Sequence, residues 1–219
     1  EQLRSGWGAL LKPLAWQGAL CYGPSPSSKA TFTHPASLLK NWNGLPDPAE
    51  AAPAVIKRYL SAYGPATPET FDAWLSRNSN KKSTLRSWFA SLGEQIVEVR
   101  VEGETRYLLA EHEDELAATR PSRATHLLGA FDQFVLGPGT KDTHMLASEH
   151  RSLVSKAAGW IAPVLTRGGR ITGVWDMDDG NLVVTPFPGE QAPPSKVLED
   201  TAARLAAVHG SVKVAPRVD

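Results

Sequence analysis

Apolar residues recur at helical spacing in several stretches of the chain and gather into strand-length runs in others. Residues 7–17, "WGALLKPLAWQ", set Trp7, Leu10, Leu11 and Leu14 on one helical face. Pro13 removes a backbone donor there and predicts a kink or a broken helix. Two β-prone pieces, 19–22 and 30–33, flank a Gly/Pro/Ser turn that carries Lys29 and predict a hairpin. Residues 40–49 predict a linker loop. Beyond it, Val55, Ile56, Tyr59, Leu60 and Tyr63 form one helical stripe, with Asp47 as cap and Pro48 in the first turn. Gly64 and Pro65 end that helix, and Thr67 and Pro68 start the next. Phe71, Trp74 and Leu75 are expected to face its core.

The polar loop "SRNSN" leads to a third helix, about 81–92, with Leu85, Trp88, Phe89 and Leu92 on its inner face and Gly93 as its stop. Two strands around Gly103 follow. Three short helices and a hairpin, in that order, predict a winged helix-turn-helix unit. The helix and hairpin at 7–33 read as the tail of a preceding winged helix.

From about residue 125 the pattern changes to strands with Gly-rich turns, including "THLLGAFDQFVLGPG", "TRGGRI" and "DMDDGNL". A short helix is expected within 143–158. An amphipathic helix is expected at about 195–209, with Val197, Leu198, Ala202, Leu205 and Ala206 inward. The predicted class is therefore α+β: a winged-helix unit followed by a mostly antiparallel, β-barrel-like domain closed by a C-terminal helix. The expected divisions are 1–39, 47–118, 122–210 and a tail at 211–219.

Composition adds bounds. The chain has 219 residues and a formal net charge of zero, so a strongly basic whole-protein signature of nucleic-acid binding is absent. The charge is uneven. Residues 1–100 hold 11 basic and 7 acidic side chains, and 101–219 hold 12 and 16. The single cysteine, Cys21, cannot form an intramolecular disulfide, which fits a reducing compartment, and it is expected to be a buried thiol. No apolar run nears the ~20 residues of a membrane span. The chain begins with Glu1 rather than Met, which reads as a fragment, a processed form or an ordered remainder of something longer.

Candidate chemistry concentrates in "NKKSTLRSW". Lys81, Lys82, Ser83, Thr84, Arg86 and Ser87 all lie off the apolar face of the third helix. Cations and hydroxyls near a helix N-terminus suit phosphates and base edges. Arg86 has the fork to reach guanine, and the lysines suit phosphate. Arg100 and Arg106 on the wing, and Lys29 in the earlier hairpin, are weaker candidates. His144, Glu149, His150 and Asp142 fit no zinc spacing, and neither a phosphate-binding glycine loop nor a nucleophile elbow occurs. No metal and no cofactor are expected.

Three stretches together, "RYLSAYGPATPETFDAWL", "LLGAFDQFVLG" and "GWIAPVLTRGGRITGVWD…VTPF", resemble the bacterial winged-helix DNA-binding domain family that includes the crosslink-unhooking DNA glycosylases. The resemblance runs over roughly residues 5–209. It implies tandem winged helices followed by a β-barrel-like domain. It also implies, for the glycosylases, an early pair of glutamines one residue apart that positions water and the flipped nucleotide's sugar. Gln2, Gln17, Gln95, Gln133 and Gln191 include no such pair, so no catalytic residue carries over. Either the catalytic part lies upstream of Glu1 or this member lacks it.

The expectation is a cytoplasmic, nucleoid-associated protein that binds double-stranded DNA in repair or regulation. The alternatives are a DNA glycosylase acting on alkylated or crosslinked DNA in the full-length protein, and a protein-interaction module.

Overall fold

Prolines and capping side chains set most of the element boundaries. The structure, a computed structural model, describes residues 11–27, 29–178, 181–209 and 217–218. The chain divides into two compact units, Glu1–Pro53 and Ala54–Asp219, with the division falling inside a helix.

In the first unit, α1 spans Lys12–Trp16 and Pro13 sits in its first turn. In the first turn the proline costs no intrahelical N–H bond. Trp7 and Leu10 lie outside the described residues. Strands β1 (Cys21–Tyr22) and β2 (Phe32–Thr33) pair antiparallel, and the Tyr22 and Phe32 rings stack at 5.3 Å. Cys21 is free and half-buried, less enclosed than expected.

Helix α2 (Pro48–Tyr63) begins where the Asp47 carboxylate accepts the Ala49 N–H at 2.7 Å. Gly64 and Pro65 end it. Helix α3 (Pro68–Ser76) opens on a capping box, in which Thr67 and Thr70 each accept the other's backbone N–H. Then come α4 (Lys82–Ala90) and the antiparallel strands β3 (Ile96–Val101) and β4 (Glu104–Leu109). Ile56, Tyr59, Leu60, Phe71, Leu85, Phe89, Leu92, Leu108 and Leu109 are buried. Trp74 and Leu75 depart from expectation, being 40% and 44% exposed. The inward position beside Phe71 is taken by Asp72, which is buried. The Trp74 ring still packs at 5.1 Å from Tyr59.

A short acidic helix, α5 (Glu113–Ala118), precedes a five-stranded sheet in the order β5 (Thr125–Leu128), β6 (Val164–Arg167), β7 (Arg170–Asp178), β8 (Asn181–Pro186), β9 (Arg217–Val218). All neighbours are antiparallel except β8 and β9. The sheet is open: β5 and β9 are its two edges, so the expected barrel does not close. Closure needs strands whose tilt and stagger bring the edges together, and among the described residues the edge strands have only four and two residues. Both faces are nevertheless covered. Val164 joins a core with Val135, Leu146, Val154, Ile171 and Phe187. Its neighbour Leu165 points the other way, into a second core with Trp175, Leu182, Val184 and, from α8 (Ser195–His209), Leu198 and Ala202.

"RGGR" forms the β6–β7 turn, as its glycines predict. Asp178 and Asn181 pair across the next turn, whose residues 179–180 lie outside the described residues, as do the Leu205 side chain and most of the 210–219 tail. The expected strand at "DQFVLG" is a helical turn, α6 (Gln133–Leu136). The reason is local: Phe131 turns left-handed and Asp132 caps, accepting the Phe134 N–H at 2.8 Å. The helix expected within 143–158 is α7 (Arg151–Val154).

Candidate nucleic-acid interface

Helix α4 is amphipathic over a single stretch of chain. Leu85 and Phe89, one turn apart, are buried. The Phe89 ring meets Phe71 edge-on at 5.7 Å and Tyr107 at 5.3 Å. The opposite face presents Lys81, Lys82, Ser83, Arg86 and Ser87, all exposed, with Thr84 half-buried. No ion pair among the described residues engages Lys81, Lys82 or Arg86. Lys81 occupies the N-cap position and no side chain caps the helix there. The first-turn N–H groups thus face outward beside two lysines, an arrangement that favours an anion. Arg86 also borders a shallow groove that contains Glu98 and Tyr107.

The turn into α4 is built around a buried carboxylate. Asp72 is 2% exposed and accepts the Asn80 side-chain N–H at 2.7 Å, the Asn80 backbone N–H at 3.3 Å and the Ser76 hydroxyl. Arg77 and Asn78 between them are left-handed, with φ of 59° and 64°. Two such residues in a row cost energy outside glycine, and the Asp72 bonds hold the turn that fixes how α4 leaves α3. Replacing Asp72 by Ala is expected to lower stability by about 2 kcal/mol, since bonds to a buried carboxylate are lost and their donors left unpaired. Urea melts of Asp72→Ala and of the milder Asp72→Asn check this.

The hairpin is not the basic wing that the sequence suggests. Arg106 is turned inward with its side chain 11% exposed. It pairs with Glu104 at 3.1 Å and, at 3.7 Å, with Asp142, whose side chain is 10% exposed, and it donates to the Pro65 carbonyl at 3.4 Å. A β4 residue whose partners lie in the α2–α3 connection and in the 139–146 loop ties the hairpin to both, so Arg106 is withdrawn from the surface. At the tip, Glu102 pairs with His144 at 2.8 Å. Arg106 beside Glu104, through hydrogen bond and charge, and then His144 hold the Glu104 carboxyl below its ordinary value of 4.5. Arg100 stays exposed, donating to Thr105 at 2.9 Å. Lys29 is exposed in the β1–β2 turn, on the other compact unit.

The structure therefore gathers Lys81 to Ser87 on one surface and turns Arg106 inward, while Lys29 belongs to the other compact unit. Asp72, Asp142 and His144 are the positioning residues that sequence reasoning missed. A buried Asp followed eight residues later by Asn in a turn is a local signal that was available for the first. The other two act across long separations and leave no local trace.

Residues 2–208 match the family model described as DNA glycosylase AlkZ-like, and the chain belongs to that family. It is 55% identical over its whole length to an interstrand DNA cross-link repair glycosylase of Streptomyces sahachiroi. The solved structure of the Streptomyces sahachiroi DNA glycosylase AlkZ superposes with a TM-score of 0.94 over 99% of this chain. The chain spans 59% of the length of each of these relatives. Of the readings the sequence allowed, the family supports the glycosylase over a plain DNA binder.

Proposed function

We propose that residues 47–118 form a winged-helix unit that grips double-stranded DNA through α4, and that the protein is a DNA glycosylase acting on crosslinked or alkylated DNA. The carrying observation is the exposed, unpaired basic face of α4, presented at an uncapped helix end. The order of three helices and an antiparallel hairpin supports the winged-helix reading. Residues 1–39 are read as the end of a preceding unit of the same kind, 122–210 as a β domain and 211–219 as a tail.

A glycosylase must hold a duplex firmly while one nucleotide is turned out of the stack, which costs a few kcal/mol. Phosphate contacts supply that hold without reading sequence. In this reading Lys81 and Lys82 meet phosphates, as do the Ser83, Thr84 and Ser87 hydroxyls, while Arg86 reaches toward a base edge. The acidic tip of the hairpin, Glu102 and Glu104, faces away from phosphate in function, and only Arg100 remains as a cation there. No residue of this chain is given a catalytic role, because its glutamines include no pair one residue apart. No helix among the described residues is long and apolar enough to cross a membrane. The reading puts the protein with chromosomal DNA in the bacterial cytoplasm.

The test is incubation of the full-length protein with duplexes carrying alkylated bases or an interstrand crosslink, followed by alkali to reveal abasic sites. Base release is the expected outcome. Tight duplex binding without release from any lesion points instead to a plain DNA binder. No affinity for any duplex points to an interaction module.

A further inference from the structure

A second basic surface lies far along the chain from α4, between the β5 edge of the sheet and α8. Arg123, Arg167 and Arg204 line one groove of about 400 Å³ together with His126 and Asp200. The three arginines come from three different elements, and the fold brings them together by identifiable means. Arg167 ends β6 directly opposite Thr125 of β5. The next residue, Gly168, donates its N–H to the Ala124 carbonyl at 3.1 Å. Gly168 has a φ of +58°, and a Cβ there would stand 3.1 Å from the Ser122 carbonyl oxygen. Glycine thus lets the β6–β7 turn lie against 122–124 and sets Arg167 beside Arg123. Arg204 comes from α8. Its guanidinium donates at 3.1 Å to the hydroxyl of buried Thr201, which is itself fixed by donating to the Val197 carbonyl at 2.7 Å.

These arginines are unlike Arg106. All three are exposed, and none makes an ion pair among the described residues. An arginine that serves the fold alone is normally buried against a carboxylate, as Arg106 is against Asp142. Here one carboxylate, Asp200, faces three guanidinium groups. Like charges gathered without partners destabilise the isolated protein, so a polyanion is the ligand this surface fits. Guanidinium forks match phosphate oxygens two at a time. The charged lining side chains are exposed, which suits a backbone running along the groove more than a small molecule enclosed by it.

We infer that the groove between β5 and α8 is a second contact for the DNA backbone, in which Arg123, Arg167 and Arg204 each neutralise a phosphate of the duplex that α4 engages. The inference rests on the DNA-binding reading above. It extends the footprint onto the sheet domain, which gives the protein a grip at two places on the duplex.

The test is fluorescence anisotropy with a short labelled, undamaged duplex over a salt series. The triple variant Arg123→Ala, Arg167→Ala, Arg204→Ala is expected to bind about tenfold more weakly or worse at low salt. Its log K against log salt is expected to be shallower by about 2.7, at roughly 0.9 for each phosphate no longer neutralised. The second triple variant, Arg123→Lys, Arg167→Lys, Arg204→Lys, keeps the wild-type slope, since its charges remain. Thermal melting leaves the lysine variant at the wild-type temperature and the alanine variant at or above it. Should the alanine variant melt early, Arg167→Glu alone, at the exposed strand end, is read in its place. Wild-type affinity and slope in the alanine variant overturn the groove and leave the DNA reading standing. Failure of the wild-type protein to bind any duplex overturns both. Tighter binding of polyglutamate than of duplex through the same arginines identifies an acidic protein partner and overturns the groove assignment.

Discussion

Arg106→Ala is expected to destabilise the protein by about 3 kcal/mol without changing the chemistry of the DNA-facing helix. Breaking a buried ion pair typically costs about 3–5 kcal/mol, because the partner is left buried and uncompensated. The lower end applies here. The Asp142 contact is long, at 3.7 Å, and the Arg106 Nε has no partner even in the intact protein. Glu104, 61% exposed, recovers water when Arg106 is removed and contributes little. For a chain of this size the loss corresponds to a fall of roughly 6–12 °C in melting temperature. Asp142 also accepts the His144 backbone N–H at 2.9 Å, a bond that Asp142→Asn preserves. The double variant Arg106→Ala, Asp142→Asn is therefore expected to lose less than the two single losses added together. Urea melts of the four proteins measure the coupling. Stability equal to wild type with weakened duplex binding would instead make Arg106 a DNA contact.

The same arginine has a pH signature. Glu104 titrates lower in the folded protein than in the unfolded chain, chiefly through its hydrogen bond and charge interaction with Arg106. A depressed folded value gives stability that is complete above the ordinary carboxylate range and is lost as pH falls through the folded value. Arg106→Ala removes that part of the acid sensitivity.

Replacing Lys81, Lys82 and Arg86 together by Ala is expected to weaken duplex binding about a hundredfold at low salt. Removing the two phosphate-neutralising lysines makes the salt dependence shallower by about 1.8, and removing Arg86 takes away its base contact. The folded state is expected to stay intact. These side chains are exposed, and α4 is held by Leu85 and Phe89 and by the Asp72 turn, none of which is touched. Changing Arg86 alone is expected to alter preference among sequences more than overall affinity if its fork reads a base edge. Unchanged affinity and slope in the triple variant would remove α4 from the interface.

The parts of this fold that sequence reveals are those decided within a turn or two of chain. Asp47 and Pro48, Thr67 and Pro68, and the glycines of "RGGR" name their structures because capping and turn chemistry are local. The α4 surface is legible for the same reason: its cations and its apolar stripe interleave in nine residues. What escapes is set by distant partners. Arg106 looks like a wing cation until Pro65 and Asp142 are brought to it. Trp74 and Leu75 look like core until Asp72 is found in the inward position. Helix α5 carries no apolar stripe to announce it, because Leu116 is its one large apolar residue and is itself exposed. The Arg123, Arg167 and Arg204 groove draws on distant parts of the sequence and exists only once β5, β6 and α8 assemble.

The central claim is that the N-terminal half of α4 lies against duplex DNA. Placing a photo-crosslinking side chain at Ser83, on the exposed face of α4, tests it most directly. A parallel protein carrying the same group at Glu111, beyond the hairpin, serves as the comparison. On irradiation with a labelled duplex at low salt, the account predicts a covalent adduct from position 83 that unlabelled duplex competes away, and little from position 111. An adduct from position 111 with none from position 83 would contradict it.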